Sequence, residues 1–325
     1  FNIRSTFGLD YSQKQQRIFT YPITEGNVAN DKNAVEAKQE HWTKWMWNAV
    51  ATYNLEVGKH RGDVMVGMEL NREDDSWFSG YKEDYSILNP DYMWPNAGTG
   101  TAQAYGSGEG YSLVSFFGKL NYTYDDKYLF SLTVRRDGSS RFGKNNRYAT
   151  FPSVSLGWRI SDEKFMESTR NWLDNLKIRV GYGISGTASI DPYSSSSSLE
   201  SGWLTLGGEK TQIYNLTKII ANPELTWERS KNTNIGIDAS FLNNRINVTL
   251  DMYKTKTEGV IWKKSLPVVN GSYSSKEQYL TNINLCETKN KGLELALNTR
   301  NIETKNFQWT SALTFAYNKE EITKL

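Results

Sequence analysis

Three glycines, Gly181, Gly183 and Gly186, form the most recognisable chemical motif of this chain, GxGxxG. That spacing occurs in dinucleotide-binding loops, where a helix must begin at the glycines so that its N-terminus meets the pyrophosphate. The residues that follow read TASIDPYSSSSS and predict no helix. We therefore interpret them as glycines at a loop entrance. The acidic run at 73–75 offers the carboxylate oxygens that calcium prefers, but a solvated acidic loop is the simpler interpretation.

The residue types and their spacing do not support nucleophilic catalysis, zinc binding or nucleic-acid binding. Cys286 is the only cysteine, so the chain predicts neither an internal disulfide nor a Cys/His zinc site. His41 and His60 stand far apart in sequence, without an obvious acid or nucleophile partner. The net charge of +2, from 38 basic and 36 acidic residues, makes no case for nucleic acid. The sequence predicts a protein that is not an enzyme and holds no cofactor and no metal.

Aromatic side chains in two long polar segments are the ligand candidates of this sequence. Flat rings can stack on the faces of sugars or grip peptide side chains. The candidates are Trp77, Tyr81, Tyr85, Tyr92, Trp94 and Trp203. The alternative interpretation is that these rings pack the loop itself or dock a lid protein.

The elements that must position these residues are β-strands. Between Tyr128 and Arg159 apolar and polar residues alternate strictly, and a period of two predicts strands, because successive side chains point to opposite faces. The same pattern predicts about eleven strands, at 1–12, 45–57, 64–70, 113–124, 128–137, 153–160, 176–184, 225–241, 246–252, 293–297 and 307–317. Ser161 is placed to N-cap a short helix that ends near Trp172.

The lengths of the connections separate a membrane barrel from a soluble sandwich. Short and long connections alternate along the chain, an asymmetry typical of transmembrane barrels. The short ones fall near residues 59, 125, 242 and 301, with the helical link near 165, and the long ones at 13–42, 72–112, 137–148, 186–224 and 256–289. A sandwich would bury the apolar face of each strand against a second sheet. The mean hydropathy of -0.62 and the lack of any run of about 18 apolar residues argue against a helical membrane protein, and we predict an all-β transmembrane antiparallel barrel.

Several stretches of the chain carry a family resemblance. RRDGSSRFG (135–143), FPSVSLGWR (151–159), DEKFM (162–166), WLDNLKIRVGYG (172–183), NPELTWERS (222–230) and NKGLELAL (290–297) stand in this order. In this ordered set the chain resembles the SusC/RagA family of TonB-dependent outer-membrane transporters of Bacteroidetes. Ala149, where a glycine is common, and the tripeptide at 185–187 depart from the family pattern and concern only loop geometry.

The resemblance implies a barrel of about twenty-two strands, of which the eleven here would be half. Residues 1–325 are then part of a receptor β-barrel domain, with the plug domain, the TonB box and the last strands expected outside this sequence. The implied function is active import of oligosaccharides, or less often peptides, across the outer membrane. The implied partners are a SusD-like surface lipoprotein as lid and the TonB complex. A passive porin-like channel and a soluble carbohydrate-binding β-sandwich are the alternatives.

Charged residues near the end of one strand are the candidates for contacts inside such a barrel. By parity Arg135 and Asp137 face the lumen, and Arg141 follows in the next connection. We favour a salt-bridged network that braces the wall, and contact with the plug or the substrate is the alternative. Arg136 has the opposite parity at the rim, where a long side chain could reach outer-membrane lipid and the phosphates of lipopolysaccharide.

Overall fold

The computed structural model describes residues 1–26, 28–196, 199–216, 219–267 and 280–325. Residues 1–5, 49–69 and 114–325 form one compact unit, and residues 6–48 and 70–113 form the other. The strands are β1 (Asn2–Thr20), β2 (Ile23–Glu25), β3 (Val28–Asn30), β4 (Ala34–Val57), β5 (His60–Glu83), β6 (Gln103–Tyr124), β7 (Tyr128–Ser139), β8 (Tyr148–Arg159), β9 (Leu173–Thr187), β10 (Leu199–Leu206), β11 (Glu209–Leu216), β12 (Ile219–Ile220), β13 (Glu228–Phe241), β14 (Ile246–Ser265), β15 (Leu280–Glu303) and β16 (Gln308–Lys324). Within these residues the model has no helix of the length and apolarity that a membrane crossing requires.

Eleven long strands follow one another in a single sheet in chain order. The sheet order is β1-β4-β5-β6-β7-β8-β9-β13-β14-β15, with β16 on the free side of β15 and the two-residue β12 paired parallel to β15. β2 pairs only with β3, and β10 pairs only with β11. The prediction of about eleven strands in an all-β fold is confirmed.

The strands are longer than the sequence pattern predicts. β5 continues to Glu83 instead of ending at 70, and β6 begins at Gln103, so the predicted loop at 72–112 shrinks to 84–102. The residues added are mostly polar and their few aromatic members fall on both faces, which removes the period-two hydrophobic signal although the backbone pairing continues. A strand outside an apolar environment therefore cannot be read from hydrophobic alternation alone.

The tight turns depend on residues that tolerate positive φ. Asn243 and Asn244 have φ of 59° and 57°, as the predicted hairpin turn requires. The short connection predicted near residue 59 is a tight turn, because β4 ends at Val57, and β5 begins at His60, earlier than the predicted 64. Gly58, with φ of 58°, supplies the left-handed conformation that this turn requires.

The predicted helix after Ser161 is wrong. Two short 3-10 helices, Ile160–Asp162 and Lys164–Thr169, take its place, and Ser161 lies buried inside the first instead of capping it. Glu163 separates them in an extended conformation. Its Oε1 accepts hydrogen bonds from the Tyr128 hydroxyl at 2.6 Å and from Trp158 Nε1 at 3.1 Å. These bonds tie the connection to the ends of β7 and β8 and interrupt any continuous helix.

The Glu163 contacts predict a pH-dependent connection. The hydrogen bond from Tyr128, and to a smaller extent the one from Trp158, hold the pKa of the Glu163 carboxyl below its usual value of 4.5. A lowered folded-state pKa stabilises the fold above the unfolded pKa, and this contribution is lost as the pH falls through the folded value. We expect the protection of residues 160–170 against hydrogen exchange, relative to the intrinsic rate at each pH, to fall in a step below about pH 4.5, and Glu163→Gln to abolish that step. Glu167→Gln, on an exposed side chain of the next 3-10 helix, is the control, and an identical step in all three proteins would contradict the assignment.

The two faces of the sheet differ in chemistry within the unit that contains 114–325. Leu156, Val180 and Ile235, at the predicted outward parity, expose 55 %, 42 % and 48 % of their surface. On the opposite parity Arg179 and Asp238 form an ion pair. An apolar exposed face and a polar interior face are what a wall between lipid and water requires.

Candidate functional site

Arg135 links three adjacent strands on the polar face. Its Nε donates to Asp137 Oδ1 at 2.7 Å, and its Nη2 donates to Ser115 Oγ at 2.8 Å and to Glu69 Oε1 at 3.3 Å. The guanidinium carbon lies 5.5 Å from the ring centroid of Phe117. Arg135 and Asp137, which the sequence analysis placed on the same face, thus form an ion pair on β7. Arg135 also contacts Glu69 of β5 and Ser115 of β6.

A second arginine network on the same face was missed by the sequence analysis. Arg179 of β9 donates to both carboxylate oxygens of Asp238 in β13, at 2.7 and 3.0 Å, and to Asp251 Oδ2 in β14 at 3.1 Å. The two-fold fork of the guanidinium suits two carboxylates on neighbouring strands. The pairing of β13 with β14 places Gly236 opposite Asp251. Asp238, two positions after Gly236, points to the same face of the sheet, so Asp238 and Asp251 share that face. β9 precedes β13 in the chain and is separated from it by the long connection 188–227. The sequence therefore does not predict the register in which β9 pairs with β13.

Arg141 contacts the backbone of the long connection that follows β9. It lies in the connection 140–147 and donates from Nη1 to the carbonyl oxygen of Ala188 at 3.0 Å. The next residue, Phe142, is fully buried, and its ring centroid lies 5.0 Å from that of Trp227. Phe151 packs edge-on against the same indole at 5.5 Å. Trp227 also donates from Nε1 to the carbonyl oxygen of Arg147 at 3.0 Å.

This aromatic cluster gathers three of the stretches on which the family resemblance rests. Phe142 belongs to RRDGSSRFG, Phe151 to FPSVSLGWR and Trp227 to NPELTWERS. The three rings fasten the connections 140–147 and 188–227 to the end of β8. Three of the stretches that carry the family resemblance thus meet at one structural junction. The sequence pattern alone did not predict that they are in contact.

Gly186, the last glycine of the GxGxxG motif, has a packing role at this junction. A Cβ on Gly186 would overlap the ring of Phe151, which cannot withdraw because it is buried against Trp227. A Cβ on Gly181 would meet nothing closer than 4.0 Å. We expect Gly186→Ala to destabilise the fold by about 1–3 kcal/mol, as overpacking does, and Gly181→Ala to be close to neutral. The unfolding midpoints of both variants in detergent test this, and equal midpoints would contradict the packing role.

Two of the predicted loop aromatics lie in a strand. Trp77 and Tyr81 belong to β5, so their assignment to a loop is wrong, because the strand continues through this polar segment. The Lys38 ammonium lies 4.6 Å from the Trp77 ring. The Tyr81 hydroxyl donates to Glu83 Oε1 at 2.7 Å, and Lys32 pairs with the same carboxylate oxygen at 3.2 Å.

The connection 84–102 has a small core of its own. Val35, Tyr85 and Met93 are buried together with Phe19 packed against them. The Asn33 side chain holds the backbone of Tyr85 on both sides, accepting from its N–H at 2.6 Å and donating to its carbonyl oxygen at 3.2 Å. Burial raises the pKa of the Tyr85 hydroxyl. Tyr85 therefore packs the loop.

Tyr92 and Trp94 project from this core. They expose 64 % and 50 % of their surface. The Arg17 guanidinium lies 4.0 Å from the ring centroid of Trp94 and donates to the carbonyl oxygen of Pro90 at 3.1 Å. One ring face is thus held by a cation while half the side chain stays accessible, an arrangement suited to stacking.

The remaining candidates give no site. Trp203 lies in β10, and its side chain is outside the described residues. In the acidic run, Asp74 is bound by Arg72 at 2.6 and 2.8 Å, and Glu73 accepts from the Tyr111 hydroxyl at 3.1 Å. No cluster of three potential metal ligands occurs in the described ranges.

A protein-family model described as TonB dependent receptor-like, beta-barrel, matches residues 1–324. The chain belongs to this family. The predicted membership is confirmed, and the sandwich alternative is wrong because the family fold is a barrel. TonB-dependent receptors of this type are outer-membrane barrels for nutrient uptake.

The relatives of this receptor barrel are longer proteins. It is 35% identical over 277 residues to TonB-dependent receptor P3 of Formosa agariphila, covering 84% of this chain and 27% of the relative. It is 31% identical over 333 residues to TonB-dependent receptor SusC of Bacteroides thetaiotaomicron, covering 99% of this chain and 31% of the relative. The chain thus spans about a third of the length of these relatives.

The fold also matches solved structures. The RagAB peptide importer in its closed-closed state superimposes with a TM-score of 0.86 at 24% identity, over 99% of this chain and 35% of that chain. At this identity the likeness establishes the barrel fold of the eleven long strands and nothing about the substrate.

Proposed function

We propose that this barrel segment forms part of the wall of a TonB-dependent importer that brings oligosaccharides, or alternatively peptides, across the outer membrane. The family match over residues 1–324 carries the proposal. The polar face supports it, because the networks around Arg135 and Arg179 would line a hydrated interior. We assign both networks to bracing of the wall, since each guanidinium is already bound to two carboxylates of the chain.

The proposed importer works with two partners. A SusD-like surface lipoprotein closes the long-connection side, and the TonB complex supplies energy through a part of the receptor outside this chain. The resemblance to the SusC/RagA family supports both partners. The projecting rings of Tyr92 and Trp94 are the proposed contacts for the substrate or for the lid.

Uptake in cells tests the importer. In a strain that lacks the chromosomal receptor, the full-length protein should restore growth on one class of oligosaccharide or oligopeptide supplied as sole nutrient. The restored growth should disappear when TonB is deleted, because the receptor has no other energy source. Uptake that persists without TonB would instead establish a passive porin-like channel and overturn the proposal.

Trp94 provides a local test of substrate stacking. We expect Trp94→Ala to weaken substrate binding to the purified full-length receptor by about tenfold, since loss of one stacking contact costs roughly 1 kcal/mol or more. Trp262→Ala, which removes an indole that is 59% exposed in β14, should leave binding unchanged. Isothermal titration with the growth-supporting nutrient measures both. Equal affinities for the two variants would remove Trp94 from the proposed site.

A further inference from the structure

Two rows of lysines cross adjacent strands on the outward face of β13–β16. In the first row Lys254, Lys291 and Lys319 stand directly opposite one another. In the second row Lys231, Lys256 and Lys289 are paired in the same way. We refer to these six residues as the lysine belt.

The belt lies at the upper margin of an apolar band. The next row toward the short connections is Ile235, Met252, Leu293 and Tyr317, and further apolar rows follow down to Ile246. Met252 and Tyr317 expose 52 % and 55 % of their surface. From Met252 to Ile246 the chain runs about 20 Å along the strand, which at a tilt of about 40° is about 15 Å of the ~25 Å height of the lipid-facing band of an outer-membrane barrel. The belt is the first charged row above these apolar rows, and its long side chains can extend to the level of the lipid headgroups.

The belt lies on the side of the long connections. Along β14 the lysines follow the apolar residues toward Ser265, away from the short turn at 242–245. The short turns of such barrels are periplasmic and the long loops are extracellular. The headgroups next to the belt are those of the outer leaflet.

Carboxylates organise the belt without neutralising it. Lys231 and Lys256 both bind Glu258, at 2.6 and 2.9 Å, and Lys256 also binds Glu287 at 3.0 Å. Lys319 pairs with Glu321. Six ammonium groups thus face three carboxylates. Within the described part of the chain, Lys254, Lys289 and Lys291 form no ion pair closer than 4.0 Å.

We propose that the lysine belt binds the phosphates of anionic outer-leaflet lipid, of the lipopolysaccharide type. Lysine stems can lie along the apolar rows while the ammonium groups reach the headgroup plane. Each lysine near an anionic membrane surface contributes favourably to the free energy of lipid binding, and several lysines in one patch form a binding site for anionic headgroups. An acidic lid protein fits less well, because the apolar rows immediately below the belt require acyl chains beside them.

Binding of fluorescently labelled lipopolysaccharide to the full-length receptor in zwitterionic detergent tests the belt. We expect the triple variant Lys254→Gln, Lys291→Gln, Lys319→Gln to bind at least about tenfold more weakly, with a smaller dependence on salt. The matched control Lys144→Gln, Lys164→Gln, Lys305→Gln removes three exposed charges from connections and short turns, and should bind within about twofold of the parent. Equal binding by both triple variants would overturn the proposal.

Two further experiments distinguish loss of lipid binding from loss of folding, and lipid binding from binding of soluble anions. The triple Lys→Arg variant at the same positions should retain binding, which shows that a glutamine variant that fails has lost charge and not structure. Inorganic pyrophosphate at equal phosphate concentration should not displace the lipid, and displacement would show a site for soluble anions and overturn the lipid assignment. The inference rests on the outer-membrane location in the proposed function. Because the readout is lipid binding, its failure would leave import untouched.

Discussion

Trp227→Ala is expected to detach the connections at the long-loop end of β8 and to destabilise the receptor by about 3–5 kcal/mol, the usual cost of deleting a buried aromatic ring. Trp227 is only 6% exposed and packs on Phe142 and Phe151 at once. Its loss also leaves the carbonyl oxygen of Arg147 without the indole donor. The measurements are the unfolding midpoint in detergent and the rate of proteolysis within 140–147.

The matched control is Trp262→Ala, which deletes the same side chain from an exposed position of β14. It should change neither the unfolding midpoint nor the cleavage rate. Phe142→Ala should reproduce the accelerated cleavage, because Phe142 is fully buried against the same indole. If Trp227→Ala and Trp262→Ala are cleaved at the same rate, the cluster does not hold the connection and its assigned role is wrong.

The sequence predicted the strands because apolar alternation is a local property. The turn between β13 and β14 was readable, since Asn243 and Asn244 favour a tight turn, but β14 continues to Ser265, well beyond its predicted end at 252. The extensions of β5 and β6 were not readable, because their residues are mostly polar and the few aromatic ones do not alternate with them. Hydrophobic alternation thus locates the part of each strand that faces lipid and misses the part beyond it.

The candidate site was harder to predict because its contacts are long-range. Trp77, Tyr81 and Tyr85 look alike in sequence to Tyr92 and Trp94, yet only the last two project. Tyr85 is held by Asn33, which lies 52 positions away in the chain, and Trp77 contacts Lys38, which lies on another strand. The lysine belt shows the same limit, since five of its six residues lie beyond the predicted strand bounds and only the strand register aligned them in rows.

Arg179→Gln is expected to lower the stability of the barrel by about 2 kcal/mol, because it leaves Asp238 and Asp251 facing each other without their shared cation. The estimate lies below that for a fully buried pair, since the Arg179 side chain is 31% exposed and water screens part of the repulsion. The unfolding midpoint of the full-length receptor in lipid vesicles measures the change. Lys177→Gln, two positions earlier on the same face of β9, removes the same charge and should change the midpoint little.

A second substitution separates repulsion from lost packing. Adding Asp238→Asn to Arg179→Gln removes one of the two facing carboxylates, so the double variant should recover at least half of the lost stability. If packing of the arginine stem were the cause, the second substitution would recover nothing, because the stem is equally absent. A midpoint for the double variant at or below that of Arg179→Gln would therefore contradict the electrostatic account of this network. It would also weaken the bracing role proposed for Arg135, whose contacts with Asp137 and Glu69 have the same form.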